Sequence, residues 1–253
     1  MIVKNKADIE RMRLAGKVVA DTLDMLKGIA KVGVTTLELD KAAEEFIRSR
    51  GAIPSFLNYS GYPNSICASV NHQVVHGIPG SYKLKDGDIL SVDVGAVLNG
   101  WHGDAARTFL IGNVPEEVLK LVKVTRECFF EGIKQAKVGN HVCDISKAIQ
   151  EHAEKNGYSV VRELIGHGIG RNLHEDPEVP NYYERRYGRG MRLESGMTLA
   201  VEPMINLGGR AIITLADGWT VETKDKKPSA HYENTIAITD GEPEILTMSE
   251  EQF

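Results

Sequence analysis

The chain has 253 residues, and its 35 acidic and 30 basic side chains leave a net charge of −5, with 42% hydrophobic residues. These values are typical of a soluble globular protein and exclude a long disordered or fibrous chain. A mildly acidic chain without a segment dense in lysine and arginine is poorly suited to binding phosphate backbones, so nucleic acid is not an expected partner.

Three widely spaced cysteines, Cys67, Cys128 and Cys143, form no CxxC pair. Their odd number and wide spacing favour a reducing compartment. Without a CxxC pair there is no zinc-ribbon or redox motif. The first 13 residues include six charged ones, and no segment reaches 18 successive apolar residues. We therefore expect a cytoplasmic protein with no membrane anchor.

Two helices are predicted at the start of the chain. Apolar residues three or four positions apart between Ile9 and Leu26 indicate the first helix. The second begins at a capping box formed by Thr35 and Glu38, and Gly51 ends it.

A hairpin is predicted next, in which two strands are joined by Asn99-Gly100, the strongest short hairpin signal. A two-residue turn places Gly95 opposite Asp104. Asp93 then shares a face with Asp104 at roughly 7–8 Å between backbones. Two carboxylates at that spacing could hold ions about 3.5–4 Å apart, as in two-metal hydrolases.

The second half of the chain repeats the first. The segment at residues 30–33 recurs at residues 136–139, a constant offset of 106, and is again followed by a helical pattern and a glycine, Gly157. The strand patterns that follow align as well. This alignment pairs two acids with two others: Asp93 with Glu202, and Asp104 with Glu233.

Two helix-helix-sheet halves, joined near residues 113–115, need to cover each other's apolar faces. The sequence therefore predicts one α+β domain over residues 1–253, with half-repeats of about residues 1–113 and 114–253. A ligand is expected where the half-sheets meet, because the duplicated acids point there.

Three of these acids have an ordinary alternative role. Asp93 could end a strand, Asp104 could be solvated, and Glu202 could form a structural ion pair. However, two acids on one hairpin face repel each other unless they share a cation or a proton. His167 lies between glycines that allow close backbone approach, although a simple turn histidine is also possible. Neither a GxSxG elbow nor an HExxH motif is present.

The set of acids and the histidine resemble type I methionine aminopeptidase over essentially the whole chain. The flanking motifs that carry the resemblance are His76-Gly77-Ile78-Pro79, Gly100-Trp101-His102-Gly103-Asp104, Gly166-His167-Gly168-Ile169-Gly170 and Glu202-Pro203. The resemblance implies the pita-bread fold, a pseudo-two-fold α+β arrangement. It also implies removal of the initiator methionine from nascent polypeptides by a hydroxide bound between two metal ions.

The resemblance further implies the role of each site residue. Asp93 would bind one metal, Asp104 and Glu233 would bridge, and His167 and Glu202 would complete the second site. Ligands rich in oxygen with one imidazole suit Co, Mn, Fe or Zn.

Three of the side chains would also act on the substrate. Glu202 would take the proton of the attacking water and pass it to the leaving amine. His174 would stabilise the oxyanion, and His76 would contact the scissile amide nitrogen.

A methionine pocket is implied as well, with aromatic and soft contacts suited to a thioether. The matching residues are Phe56, Tyr59, Tyr62, Cys67, Leu173 and Trp219, each of which could equally be ordinary core. Type I relatives often have Cys at position 56, an aromatic residue at 173 and His at 234, where this chain has Phe56, Leu173 and Asn234. The substrates would be nascent peptides, with transient ribosome contact and a monomeric chain.

Three other functions remain open. A proline-specific dipeptidase of the same fold would hydrolyse X-Pro bonds. A metal-free binding module of the same fold would be expected to have lost ligands. A two-metal phosphoesterase would need an Arg or Lys clamp beside the acids.

Overall fold

Four helices form where the sequence places apolar faces and capping residues. The computed structural model describes residues 3–248, apart from the side chain of Tyr187. The predicted capping box of Thr35 and Glu38 is present, and Gly51, with φ of +75°, follows the second helix. The helices are α1 (Lys6–Ile29), α2 (Thr36–Ser49), α3 (Glu116–Ile133) and α4 (Val142–Lys155).

The strands of the described residues are short except for one hairpin. In the first half they are β1 (Ile53–Pro54), β2 (Cys67–Val70), β3 (Gln73–Val75), β4 (Ile89–Leu98) and β5 (Trp101–Leu110). In the second half they are β6 (Ser159–Val160), β7 (Gly166–Gly168), β8 (Glu175–Val179), β9 (Thr198–Val201), β10 (Met204–Asn206), β11 (Ile212–Thr214), β12 (Val221–Thr223), β13 (Ser229–His231), β14 (Asn234–Ala237) and β15 (Glu244–Ile245).

Two antiparallel sheets form the centre of the molecule. In the first, β4 pairs with β1, β2 and β5, and the second has the order β15-β14-β9-β7-β8. Two smaller sheets, β13-β10-β6 and β11-β12-β3, lie beside them. This mixture of helices and antiparallel sheets agrees with the predicted α+β class.

The two halves repeat each other in structure. Helices α2 and α4 each have 14 residues and lie 106 positions apart. Strands β4 and β9 both follow a glycine of positive φ, Gly87 and Gly196. Each half also has its own buried apolar cluster, one containing Leu23 and Leu90 and the other Phe129 and Leu199.

The long hairpin has the register that the sequence predicts. Asn99 and Gly100 both have positive φ, as a two-residue type I′ turn requires. Gly95 pairs with Asp104. Asp93 and Asp104 therefore share one face of the hairpin.

Strand β5 also joins the two halves. The backbones of Ala106 and Glu233 exchange hydrogen bonds of 3.0 and 3.3 Å. The Thr235 hydroxyl donates to the Asp104 carbonyl at 2.9 Å and accepts from the Asp104 N–H at 3.0 Å. Asp104 on β5 and Glu233, its equivalent in the second half, are thus brought side by side.

Within residues 3–248, no helix has both the length and the apolar composition that a membrane crossing requires. Residues 1–2 and 249–253 of the predicted single domain lie outside the described part of the chain.

Candidate metal centre and active site

The structure brings the five predicted metal ligands together from both halves. Asp93 and Asp104 come from the hairpin, and His167 lies on β7. Glu202 directly follows β9, and Glu233 lies between β13 and β14. Their assignment as ligands stays a prediction, but the fold places all five around one point.

His167 is close to acids from both halves. Its Nε2 lies 3.9 Å from Asp104 Oδ2 and 3.6 Å from Glu202 Oε1. One ligand atom each of Asp104, His167 and Glu233 lies within 4.8 Å of the other two. The Nδ1 of His167 is 2.8 Å from the Gly168 carbonyl, to which it can donate. That bond leaves Nε2 with a lone pair directed at the acids, as a metal ligand needs.

Several buried carboxylate oxygens in this cluster of predicted ligands receive no hydrogen bond from residues 3–248. Among the described residues, none donates to Asp93 Oδ1, Asp104 Oδ1 or Glu233 Oε1. Asp104 is 4% exposed and Glu233 is 2% exposed. Buried carboxylates without partners are costly unless they share protons or bind a cation. The donor set therefore fits divalent cations.

Burial changes the proton affinity of these groups. It raises the pKa of Asp93 to about 7. Burial, reinforced by neighbouring carboxylates, raises the pKa of Asp104, Glu202 and Glu233 well above the ordinary range. Burial also lowers the pKa of His167 to about 3, helped by His174. In the absence of cations these shifts favour protonated carboxyls and a neutral imidazole.

The two histidines predicted to act on the substrate flank the acids. The rings of His174 and His167 are 4.2 Å apart, and the Tyr59 hydroxyl lies 2.7 Å from His174 Nδ1. His76 has a positive φ of 58°, and burial together with His174 lowers its pKa to about 4. A cavity of about 600 Å³ opens beside His167 and His174.

Most of the predicted pocket residues form one apolar cluster beside Asp93. The Trp219 ring packs edge-on against Tyr62 at 5.2 Å. Cys67 pairs with Asp93 across strands β2 and β4, and burial raises the pKa of its thiol well above the ordinary value. Tyr59 lies outside the cluster and is 40% exposed. The cluster includes Phe56, Tyr62, Cys67, Leu173 and Trp219.

Phe56 reaches the site because residue 95 is a glycine. A Cβ on Gly95 would lie 2.7 Å from Phe56 Cε1 and 2.9 Å from Ser55 Cβ. The ring therefore packs directly over the hairpin next to the acids.

Asn234 belongs to a buried network behind Glu233. Its Oδ1 accepts hydrogen bonds from an Arg107 guanidinium nitrogen at 2.7 Å and from the Thr247 hydroxyl at 3.0 Å. Arg107 also donates to the Glu233 carbonyl at 2.6 Å. Asn234 thus helps to fix the backbone that carries Glu233.

Sequence reasoning missed His231, which lies next to the acids. One ligand atom each of Asp93, His231 and Glu233 lies within 4.8 Å of the other two. His231 is two residues before Glu233 and so projects to the same side of an extended segment. That period-two spacing was the available signal.

The fold and this cluster of acids and histidines define a metallopeptidase. The model of metallopeptidase family M24 matches residues 10–240 of the chain. The fold also matches prolidase from Pyrococcus furiosus, with a TM-score of 0.81 at 22% identity, over 99% of this chain and 66% of that one. That likeness concerns the fold alone, which is the predicted pita-bread fold.

Proteins with higher sequence identity to this chain identify its group within family M24. The chain is 57% identical to methionine aminopeptidase from Clostridium perfringens, over 98% of this chain and 99% of that protein. It matches the crystal structure of methionine aminopeptidase from Rickettsia prowazekii with a TM-score of 0.95 at 44% identity, over 98% of this chain and 100% of that one. The chain belongs to the type I methionine aminopeptidases of family M24.

Proposed function

We propose that this protein hydrolyses the peptide bond after the initiator methionine of nascent polypeptides, using two divalent cations held by Asp93, Asp104, His167, Glu202 and Glu233. Methionine aminopeptidase activity is what the 57% identical relative is named for. The cation number and the ligand roles are our inference from the site.

The observation that carries this proposal is the set of buried carboxylate oxygens without donors. Asp93, Asp104 and Glu233 each have such an oxygen. Glu233 belongs to both groups of converging donor atoms, one with Asp104 and His167 and the other with Asp93 and His231. A carboxylate shared by two donor groups is the expected arrangement for a bridge between two cations. When bound, the cations would supply Lewis acidity toward the scissile carbonyl and would lower the pKa of water toward neutrality.

Glu202 is the proposed proton carrier. It is largely buried, and burial with the charge of Asp93 raises its pKa well above the ordinary value. That shift belongs to the metal-free protein, whereas beside the cations the side chain would be ionised. A carboxylate within hydrogen-bond reach of the water can then take its proton and return it to the leaving amine. Its position is held by Asn181, whose Nδ2 donates to the Glu202 carbonyl at 3.0 Å.

His174 is the proposed donor to the scissile carbonyl. Burial lowers its pKa, so the ring is neutral at pH 7. The proposed tautomer has its single proton on Nε2, so that Nδ1 accepts from the Tyr59 hydroxyl and the Nε2 proton is available to the carbonyl oxygen as negative charge develops there. His76, which is in edge contact with Trp219, is the proposed partner of the scissile amide nitrogen.

The apolar cluster beside Asp93 is the proposed methionine pocket. Aromatic rings and a neutral thiol suit a polarisable thioether. Because Phe56 lies over Gly95 and beside the hairpin, a side chain in this pocket would place its own backbone at the acids. Substrate selection is thereby tied to the position of the reacting bond.

The remaining parts of the proposal follow from the substrate. Nascent chains as substrates imply a cytoplasmic location and transient contact with the ribosome, and we propose that the enzyme acts as a monomer. A single metallopeptidase domain, with half-repeats meeting near residue 113, completes the proposal.

Activity on defined peptides tests the proposed metal-dependent removal of methionine. The protein is treated with a chelator and given Mn, Co, Fe or Zn separately, with Met-Ala-Ser as substrate and Ala-Pro as control. We expect no turnover after chelation, and recovery on Met-Ala-Ser only. Turnover that survives metal removal, or a preference for Ala-Pro, would contradict the proposal.

A further inference from the structure

His231 lies at the Asp93 end of the metal centre. The ligands proposed for the cation at that end, Asp93 and the bridging Asp104 and Glu233, are all carboxylates. The ring is 2% exposed, and its Nε2 lies 3.7 Å from Glu233 Oε2. A ligand atom of Asp93 completes the group, with all three atoms within 4.8 Å of one another. At the other end, His167 occupies the matching place beside Asp104 and Glu233.

The backbone of His231 is fixed on both sides. Its N–H donates to the Thr108 hydroxyl at 3.0 Å, and the same hydroxyl donates to its carbonyl at 2.9 Å. It also pairs with Met204 across strands β13 and β10. These contacts hold the backbone of His231 in place before any ligand binds, which contributes to the preorganisation that a metal site needs.

The ring nitrogen that faces the acids has no partner. Among the described residues, none hydrogen-bonds to His231 Nε2, although the atom is fully buried. Buried polar atoms are normally satisfied, so an unpartnered nitrogen next to unpartnered carboxylate oxygens indicates a common ligand.

We propose that His231 is a sixth ligand of the metal centre and supplies a nitrogen donor to the cation at the Asp93 end. This inference rests on the proposed function, because it requires the cation pair described there. Each end of the centre then has one imidazole, His167 at one and His231 at the other.

The added nitrogen changes the expected metal preference. Carboxylate donors alone favour hard ions such as Mn²⁺ and Mg²⁺, whereas an imidazole favours Fe²⁺, Co²⁺ and Zn²⁺. We therefore expect the Asp93 end of this chain to bind Co²⁺ more tightly, relative to Mn²⁺, than the same site without His231.

A simpler role would be a hydrogen bond from His231 to Glu233 that only orients the carboxylate. Pulsed electron paramagnetic resonance of bound Mn²⁺ separates the two roles, because directly bound imidazole gives a strong ¹⁴N coupling. The His167→Ala variant removes the other imidazole. Its Asp93 end keeps four donors, namely Asp93, Asp104, Glu233 and His231.

We expect His167→Ala with one equivalent of Mn²⁺ to retain a strong ¹⁴N coupling, and His167→Ala/His231→Ala to lose it. His231→Gln, which keeps a polar amide in place of the ring, replaces the alanine variant if that variant does not fold by circular dichroism. Absence of the coupling in His167→Ala, or failure of that variant to bind Mn²⁺, would overturn the inference.

Affinity gives an independent measurement on otherwise wild-type protein. We expect His231→Ala to raise the Kd for Co²⁺ about 10–100-fold in equilibrium dialysis, with a smaller change for Mn²⁺. His152→Ala is the matched control, because its ring pairs with Glu127 on the helical face at 2.9 Å. Equal Kd values for His231→Ala and the control would overturn the inference.

The outcomes also separate this inference from the proposed function. Wild-type protein that cleaves Met-Ala-Ser but binds metal through His167 alone contradicts only the role of His231. Wild-type protein that shows both imidazole ligands but no cleavage contradicts only the proposed reaction.

Discussion

Asp104 and Glu233 are almost completely buried, and each has one carboxylate oxygen that receives no hydrogen bond from any described residue. In an ordinary protein interior such groups would be replaced or paired, because an uncompensated buried charge is strongly destabilising. A cation supplies the missing positive charge. Protons are the alternative, because burial and the neighbouring carboxylates raise the pKa of both groups in the metal-free site.

Glu202→Gln tests the proton carrier. The amide keeps the shape and one oxygen of the side chain but cannot accept a proton, so we expect metal binding to persist in part while kcat falls by about 10²–10⁴-fold. Metal content and steady-state turnover of Met-Ala-Ser are measured on the same sample. A kcat equal to that of the wild type would show that another group carries the proton.

His174→Ala tests the oxyanion donor. Loss of a single donor that acts in the transition state predicts a kcat lower by about 10²–10³-fold, with little change in KM. Tyr59→Phe, which removes only the hydroxyl that contacts His174 Nδ1, should give a smaller loss of kcat. An effect of His174→Ala on KM alone would assign this residue to ground-state binding.

The sequence located the acids because their positions depend on local register. A two-residue turn and period-two strands were enough to place Asp93 and Asp104 on one face, and the repeat extended this to Glu202 and Glu233. His231 was not identified because its approach to Asp93 depends on how β13 packs beside β5. The period-two spacing of His231 and Glu233 puts them on one side of an extended segment. It does not show that this side faces Asp93, because that packing joins segments more than 100 residues apart.

At the scale of the element, the glycines around His167 serve close packing of strands. A Cβ on Gly168 would lie 2.1 Å from the Asp176 carbonyl oxygen, and one on Gly166 would lie 2.4 Å from the Ala200 carbonyl oxygen. Strand β7 therefore fits between β8 and β9 only without side chains at these positions. The sequence predicted this close approach, although the neighbouring strands were not known.

Gly168→Ala should consequently destabilise the protein. Separating β7 from β8 is expected to lower the free energy of unfolding by about 1–3 kcal/mol, as overpacking does elsewhere. Urea denaturation measures the change. Gly28→Ala is the matched control, since Gly28 lies in α1 with no atom within 4 Å of an added Cβ. We expect the control to be neutral or stabilised by up to about 1 kcal/mol, and equal effects of the two would contradict the packing argument.

Helices and the long hairpin were predictable, whereas most short strands were not. Helices α2 and α4 carry caps and apolar faces that identify them locally. Strands such as β6, β10 and β13 have three residues or fewer, too few for a period to be detected. They form because the sheets beside them provide partners.

At the scale of the molecule, the metal-free protein should have an unusual pH dependence. Raised carboxyl pKa values mean that the folded state binds more protons than the unfolded chain, so its stability falls as pH rises through them. The buried histidines, whose pKa values are lowered, act in the opposite direction, but only below their unfolded pKa of about 6.5. Between pH 6.5 and 8 the acids therefore determine whether the folding stability rises or falls with pH.

We therefore expect the Tm of chelator-treated protein to fall from pH 6.5 to 8, with each extra proton in the folded state contributing about 1.4 kcal/mol per pH unit. Saturating Mn²⁺ should remove the fall, because a cation replaces the protons. Asp93→Asn should reduce the slope, since it removes the acid whose pKa burial raises to about 7. A Tm that is constant or rises in the absence of metal would contradict this account.

The two halves meet at the acids, so the duplicated fold and the site are one feature of the molecule. Anomalous diffraction at the manganese edge, from crystals of the wild-type protein soaked in Mn²⁺, tests this most directly. The account predicts two ions bound between the carboxylates of both halves, with Asp104 and Glu233 contacting both. Crystals that diffract well and show no manganese at these side chains would contradict it.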